Sequence, residues 1–529
     1  MNTVSELYHR LSQSGIRPLD WEVGISWTKR RNANTSWFTL DSSTLDGPDL
    51  LADNDNNAIQ LWDAYDYQLQ RDRVIDMSVS RSVEFPYNIQ SAVCDLTLNN
   101  YDGLFSFKNS TSPISENILP ARPLRAYLGF KGAGVTPVFV GLTQSVPDYS
   151  GTNNTIASLT AMDFLSTIGE MSLRNMVMMK NARTNEVIAV ILQQFGLEPY
   201  MYSLDQGLNI IPFVYFESGK NAGNALKELI QAENGAMWID EQGIIRFTPR
   251  TSGLGSTSVM RFDRNNIVSI KPSQTAGIVN RVHVEADIRE VKEYQQIFVA
   301  NNDMGYQSDA EDDQYRLSAN GGTTIWLSFD DPIWSAKTNL ELGESEDSSS
   351  FTVLNLSGEP ITSGITATGT LFADAMKLEF TNENNFPVSV NYLQIWGEPA
   401  KVAGTSPTIK YTAEDEESIE RFGIQELSIT DNTCFGNQQN IDAFATDILK
   451  RYAEYSPTLE LSVKGDPSLQ IRDIVTLDGT KYDGTWLVNA ISHQLSSSGL
   501  ATTITVVRTE IQTAFILNQS VLDGKDVLG

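Results

Sequence analysis

Residues 92–108 read AVCDLTLNNYDGLFSFK, and their periodicity restricts the fold more than any other stretch of the chain. Ala92, Cys94, Leu96 and Leu98 fall on one side of an extended backbone; Asp95, Thr97 and Asn99 fall on the other. A period of two marks a half-buried strand. Asn-Asn-Tyr-Asp-Gly then supplies turn residues, because Asn and Asp tolerate left-handed φ and Gly103 accepts it freely. Leu104, Phe105 and Phe107 resume an apolar pattern. The segment is a strand that ends in a tight turn with an aromatic plug.

The same grammar recurs on both sides. WFTLDSSTLDGPDLL (37–51) and RVIDMSVSRSVEF (73–85) precede it; RPLRAYLGF (122–130), PVFVGLTQSV (137–146) and NTIASLTAMDFLSTI (154–168) follow. Short strands with turn signals every ~8–12 residues indicate a barrel or sandwich. Residues 1–175 are therefore expected to form one β domain, and residues 176–258 a small α+β domain. In the latter, RTNEVIAVILQQFG (183–196) has helical period, with Val187, Ile188, Ile191, Leu192 and Phe195 on one face, Thr184 as N-cap and Gly196 as stop. AGNALKELIQAENG (222–235) is a second helix, with Leu226, Leu229 and Ile230 inward and Gly235 just past its end. AMWIDEQGIIRFTPR (236–250) reads as a hairpin around Glu-Gln-Gly.

Strand patterns resume at 265–288. Residues 295–425 then turn polar and acidic, with SDAEDDQY (308–315) and TAEDEESIE (412–420) around strand patterns at 323–331, 377–384 and 388–400. This is expected to be an inserted β-sandwich with mobile acidic flanks. Residues 259–294 and 426–512 make a second, discontinuous β unit: a helix over 440–455 with Ile441, Phe444, Ile448, Leu449 and Tyr452 on one face, then four alternating strands. Residues 513–529 form a tail without strong pattern. No exact internal repeat is visible. The expected class is mainly β with α+β.

A chain of 529 residues exceeds a single core. Its formal charge of −28 is the wrong sign for a binder of phosphate backbones, so a nucleic-acid ligand is not expected. No run approaches ~18 consecutive apolar residues, so no membrane span is expected, and the N-terminus carries no signal-peptide pattern. Cys94 lies on the apolar face of its strand and is expected to be a buried free thiol.

Enzyme signatures are missing. His9, His283 and His493 are isolated, and a lone strand histidine is read as a hydrogen-bonded structural residue. There is no Cys/His cluster, nucleophile elbow or phosphate-binding loop. DNDNN (53–57) opens like a calcium loop, but Ala58 replaces the required Gly and Ala64 the closing Glu, so it is read as a solvated loop. The acidic runs at 309–313 and 414–417 are read as solvated flanks. Trp326, Trp334 and Trp396 could line a sugar-binding surface, with core packing as the alternative. No catalytic, cofactor-binding or metal residue is assigned, and no cofactor is expected.

The order of the pieces carries a resemblance. DLTLNNYDGLFSF resembles the strand-and-turn L-x-L-x-N-x-D-G-x-F of phage tail proteins at the tail tip. ILPARPLRAYLGF, VFVGLTQSV and IASLTAMDFLSTI follow in the family's order, and LELSVKGDPSLQIRDIVTLDG, GTWLVNAISHQLS and TTITVVR resemble the closing domain of baseplate hub proteins. The resemblance spans everything but the insert. It implies a non-enzymatic structural hub at the distal end of the virion tail. In such hubs two β-barrel domains per chain give a homotrimer pseudo-sixfold symmetry. The ring joins the tail tube to a central spike or fibre and other baseplate proteins, and DNA passes through a negative lumen. It transfers no catalytic residue. Two other readings stand beside it: a tail-associated cell-wall or polysaccharide hydrolase using acidic residues, and a receptor- or carbohydrate-binding tail protein acting through the insert.

Overall fold

The computed structural model describes residues 4–14, 17–27, 67–83, 90–150, 155–250, 257–272, 277–301, 315–345, 349–402, 408–454 and 457–508. The expected strand at 37–51, the loop 53–57, the acidic run 309–313 and the tail 513–529 lie outside them.

The alternating segments become strands in the phase their sequence sets. After helix α1 (Glu6–Ser12), the first unit contains β1 (Leu19–Ile25), β2 (Gln68–Leu69), β3 (Val74–Ser82) and β4 (Val93–Asn99). It continues with β5 (Pro123–Phe130), β6 (Gly134–Thr143), β7 (Asp148–Ser150) and β8 (Ile156–Met162). Pairing runs β3-β4-β8-β6-β5-β1-β2, with β7 on β8. The two ends of this path, β2 and β3, are joined by residues 70–73 alone, so the chain itself draws the ends together. The sheet curls around Val23, Cys94, Leu96, Leu98, Phe105 and Leu159.

α2 (Phe164–Glu170) leads into the middle unit: β9 (Met179–Arg183), α3 (Thr184–Gln194), β10 (Tyr202–Leu204), β11 (Ile210–Val214), α4 (Ala222–Glu233), β12 (Ala236–Ile239) and β13 (Ile245–Thr248). The start of α3 differs from expectation, while Gly235 does lie just past the end of α4. Arg183, not Thr184, is the N-cap of α3, and its N–H donates to Glu186 at 2.8 Å. The Thr184 hydroxyl instead donates to buried Glu233 at 2.7 Å. At the end of α4, Asn234 rather than Gly235 takes the left-handed conformation, with φ 51°. Gly235 is needed for approach instead, since a Cβ there would meet the Thr248 carbonyl at 2.7 Å.

β14 (Met260–Phe262), β15 (Ile267–Pro272) and β16 (Arg281–Asp287) precede the insert, whose strands run from β17 (Arg289–Val291) to β27 (Val388–Val402). Its two sheets pack around Ile325, Phe351, Leu378, Phe380, Leu393 and Ile395. The insert is shorter than 295–425. β28 (Thr408–Glu414) pairs with β16, as does β29 (Glu426–Ile429). Between them the acidic run TAEDEESIE keeps Glu414, Glu416 and Glu417 exposed, as expected of a solvated run, but it starts a helix rather than flanking the insert. Asp415 caps α5 (Glu416–Phe422), with Glu416 and Glu417 in its first turn, where the helix dipole favours negative charge. α6 (Gln438–Tyr452) packs Ile441, Phe444 and Ile448 into the same cluster as Leu192, Leu226 and Leu229. The core of the middle unit therefore takes in β16 and α6, which the sequence pattern had assigned to the second β unit.

That second unit comprises β14, β15, β30 (Leu459–Lys464), β31 (Ile474–Leu477), β32 (Gly484–Ser496) and β33 (Gly499–Arg508), paired β14-β31-β32-β33-β30-β15. Its end strands β14 and β15 are again joined by a short link, residues 263–266. Five strands of the first unit, β3, β4, β8, β6 and β5, follow the same order as β15, β30, β33, β32 and β31; beyond them the units differ, since β1 joins β5 antiparallel and β14 joins β31 in parallel. The match extends to register. Leu96 pairs with Met77 and Leu159; Leu461 pairs with Ile270 and Ile504. Asp95 and Glu460 correspond, as do Thr97 and Ser462, and both leading strands carry a bulge, at Ile75 and at Val268. The chain is mainly β and internally duplicated.

Candidate functional site

Where the two β units meet they form one continuous sheet. The outer edge of β3 pairs antiparallel with the second half of β32, from Met77 opposite Leu495 to Ser82 opposite Ala490. β32 serves both units because it bends at Asn489: residues before it pair with β31, residues after it with β3. Two buried charges, Arg81 and Glu241, and the half-buried Gln470 hold this junction. Arg81 follows Met77 and Val79 in the buried phase of β3, and its guanidinium contacts Glu241 at the tip of the β12–β13 hairpin. Its Nη2 donates to the Val138 carbonyl at 3.3 Å. Gln470, from the second unit, donates to the other Glu241 oxygen at 2.7 Å. One hairpin tip thus ties all three units together. Burial pushes the Glu241 carboxyl up, and the Arg81 charge opposes that push.

His493 lies on β32 opposite Val79, buried, with Nδ1 2.8 Å from the Thr502 hydroxyl. Burial, then the Arg81 charge, lower its pKa to about 4, so the ring is neutral near pH 7. Asp163 caps α2 beside the junction; it accepts from Ala92 N–H at 2.7 Å and Leu165 N–H at 3.1 Å, and burial raises it to about 6. The N-terminal segment adds a strap, with Arg17 donating to the Gly465 and Leu500 carbonyls at 3.1 Å each.

The strand-to-turn segment 92–108 closes the end of the first unit. Asn100 accepts from Phe105 N–H at 2.9 Å and donates to Ser106 at 3.1 Å, while Arg73 grips Asp102 through both nitrogens. Phe105 is fully buried beside Trp27, and Tyr101 stands out 84% exposed.

The other singled-out residues sit apart from one another. His283 bonds Thr412 at 2.8 Å and Glu285 at 3.2 Å; His9 is 4.0 Å from Asp466. Cys94 and Cys434 are buried free thiols, and burial pushes both up. The tryptophans divide. Trp334 packs edge-on against Phe213 at 5.9 Å, where the insert meets the middle unit. Trp326 and Trp396 are half exposed, stacked on Phe372 and Tyr294 on different sheets of the insert. No group of three or more metal-ligating side chains occurs among the described residues. A cleft between α2 and α4, lined by Ser91, Ser166, Asn221, Asn224 and Lys227, brings no carboxylate pair together. Of the junction residues, Arg81 was detectable in sequence as a charge on the apolar phase of a strand; Glu241 and Asp163 were not marked.

No family model and no curated protein matches the chain. Among solved structures it is similar to the 43 kDa tail protein of prophage MuSo2 from Shewanella oneidensis (12% identity, 84% of this chain and 96% of that one, TM-score 0.44). It is similar to a tail protein from Neisseria meningitidis MC58 (10%, 84% and 94%, TM-score 0.46). The prophage tail protein gp18 from Listeria monocytogenes EGD-e is a third (9%, 85% and 92%, TM-score 0.38).

Proposed function

We propose that the chain is a structural, non-enzymatic hub at the distal tip of a phage tail, assembling as a homotrimer. Its two β units per chain make a pseudo-sixfold ring that joins the sixfold tail tube to a central spike or fibre and lets DNA pass. The observation that carries this reading is the duplication itself: two units that share a five-strand order and its register, fused through β3 and β32, are what a threefold ring needs to offer sixfold contacts. The ordered tail-hub motifs support it, and a net charge of −28 suits a wall past which DNA slides. Light scattering after size exclusion, with negative-stain images of the same peak, tests it. A mass of three times 58.6 kDa and a ring with a central hole are expected; a monomer at all concentrations rejects it.

The insert supports a second role, binding a receptor or carbohydrate, because Tyr294 and Trp396 stack 6.2 Å apart on an outer face, 52% and 40% exposed. Val291 and Ala400 are cross-strand partners, so residues 292–399 can be replaced by a short turn. Unchanged adsorption of phage carrying that deletion rejects the binding role.

A further inference from the structure

The duplicated units leave part of their shared pattern unfilled. β3 pairs on its outer edge with the second half of β32, Ser78 opposite Gln494 and Val79 opposite His493. The counterpart of β3 is β15: Lys271 takes the place of Ser78 and Pro272 that of Val79, each judged by its partner in β4 or β30. Among the described residues β15 pairs only with β30, and Val268 at its bulge is 74% exposed.

The counterpart of the second half of β32 is β7. Against β8, Asp148 faces Ser158, Tyr149 faces Ala157 and Ser150 faces Ile156; against β33, Ser492, His493 and Gln494 face Thr503, Thr502 and Ala501. Ser158 and Thr503 lie opposite Thr97 and Ser462, and Ala157 and Thr502 opposite Leu98 and Val463, so the two sets correspond. Among the described residues β7 pairs only with β8. One junction of this kind is made within the chain, and among the described residues the two edges for a second one, on different units, have no strand partner.

We infer that β15 of one copy adds to β7 of a second copy, with Lys271 opposite Ser150 and Pro272 opposite Tyr149. The register is that of the internal junction. Lys271, 70% exposed, then lies diagonal to exposed Asp148, a pairing of opposite charge. Each copy offers β15 and receives on β7, so the contact is heterologous and generates a closed ring when the rotation permits. The inference rests on the ring reading above and specifies which surfaces make the ring.

The test combines light scattering with a Lys271→Cys, Ser150→Cys double variant under mild oxidation. Directly opposed cross-strand positions lie within reach of a disulfide. The expected result is an unchanged assembly mass and interchain-bonded species that neither single variant forms. Asp148→Lys should weaken assembly about tenfold, with recovery on adding Lys271→Asp. An assembly of unchanged mass without interchain bonds overturns the β15–β7 pairing and leaves the ring intact. A monomer at every concentration, without interchain bonds, overturns both.

Discussion

The guanidinium of Arg81 meets the carboxylate of Glu241 with both side chains buried, although one belongs to a β3 strand position and the other to a hairpin tip in the middle unit. Removing one partner of such a pair strands the other charge in the interior, which costs about 3–5 kcal/mol. Glu241→Leu should therefore lower thermal stability strongly. The double variant Arg81→Met, Glu241→Leu should recover much of the loss, because no unpaired charge remains. A double-mutant cycle by urea denaturation measures this; additive losses would show that the pair is not coupled.

Two buried groups beside that pair give opposite pH dependences. The folded pKa of His493, about 4, lies below its ordinary 6.5, so its stability contribution is complete above pH 6.5 and is lost as pH falls toward 4. Asp163, raised from 3.8 to about 6, favours its protonated form in the fold; its contribution is complete below pH 3.8 and is lost as pH rises toward 6. Each amounts to about 3 kcal/mol at full extent, so the two contributions oppose each other between pH 4 and 6. His493→Gln should make stability rise on acidification, and Asp163→Asn should make it fall. Denaturation midpoints over that range decide the signs.

Period-two segments such as β4 and β30 were legible because one face of each strand is buried, and burial writes itself into sequence as alternation. The duplication was legible only through the resemblance, which implies two β-barrel domains per chain, and not as a repeat in the residues themselves. Corresponding positions such as Cys94 and Leu459, or Ala157 and Thr502, share a burial phase and little else. The middle unit's boundary was missed because α6 has an ordinary amphipathic pattern, which says that a face is buried but not against which core. TAEDEESIE was misjudged as a flank because acidic composition alone does not separate a solvated run from a capped helix start; Asp415 three residues before Ser418 was the available signal.

The turn after β4 should respond to substitution according to depth. Phe105→Ala removes a fully buried ring packed beside Trp27 and should cost about 3–5 kcal/mol. Asn100→Ala leaves the buried Phe105 N–H without its acceptor and should cost about 1–3 kcal/mol. Tyr101→Ser, at a position 84% exposed, should change stability by less than about 0.5 kcal/mol. Urea midpoints of the three variants should fall in that order.

The insert is held to the middle unit by a small contact. Trp334 packs on Phe213, Lys180 lies 5.2 Å from the Trp334 ring centre, Ala373 N–H donates to the Met176 carbonyl at 2.8 Å, and Ser218 N–H donates to Asp374 at 3.1 Å. The sandwich has its own core around Phe351 and Phe380, which does not depend on that contact. Trp334→Ala should therefore undock the insert without melting it. Amide exchange should quicken at Phe213–Ser218 and Ile333–Ala336, while Leu378, Phe380 and Ile395 keep their protection. Trp326→Ala, on an exposed face, should change neither set. If Trp334→Ala also deprotects Phe380, the insert is not an independently stable unit, and its edges are supported by the middle unit rather than by its own core.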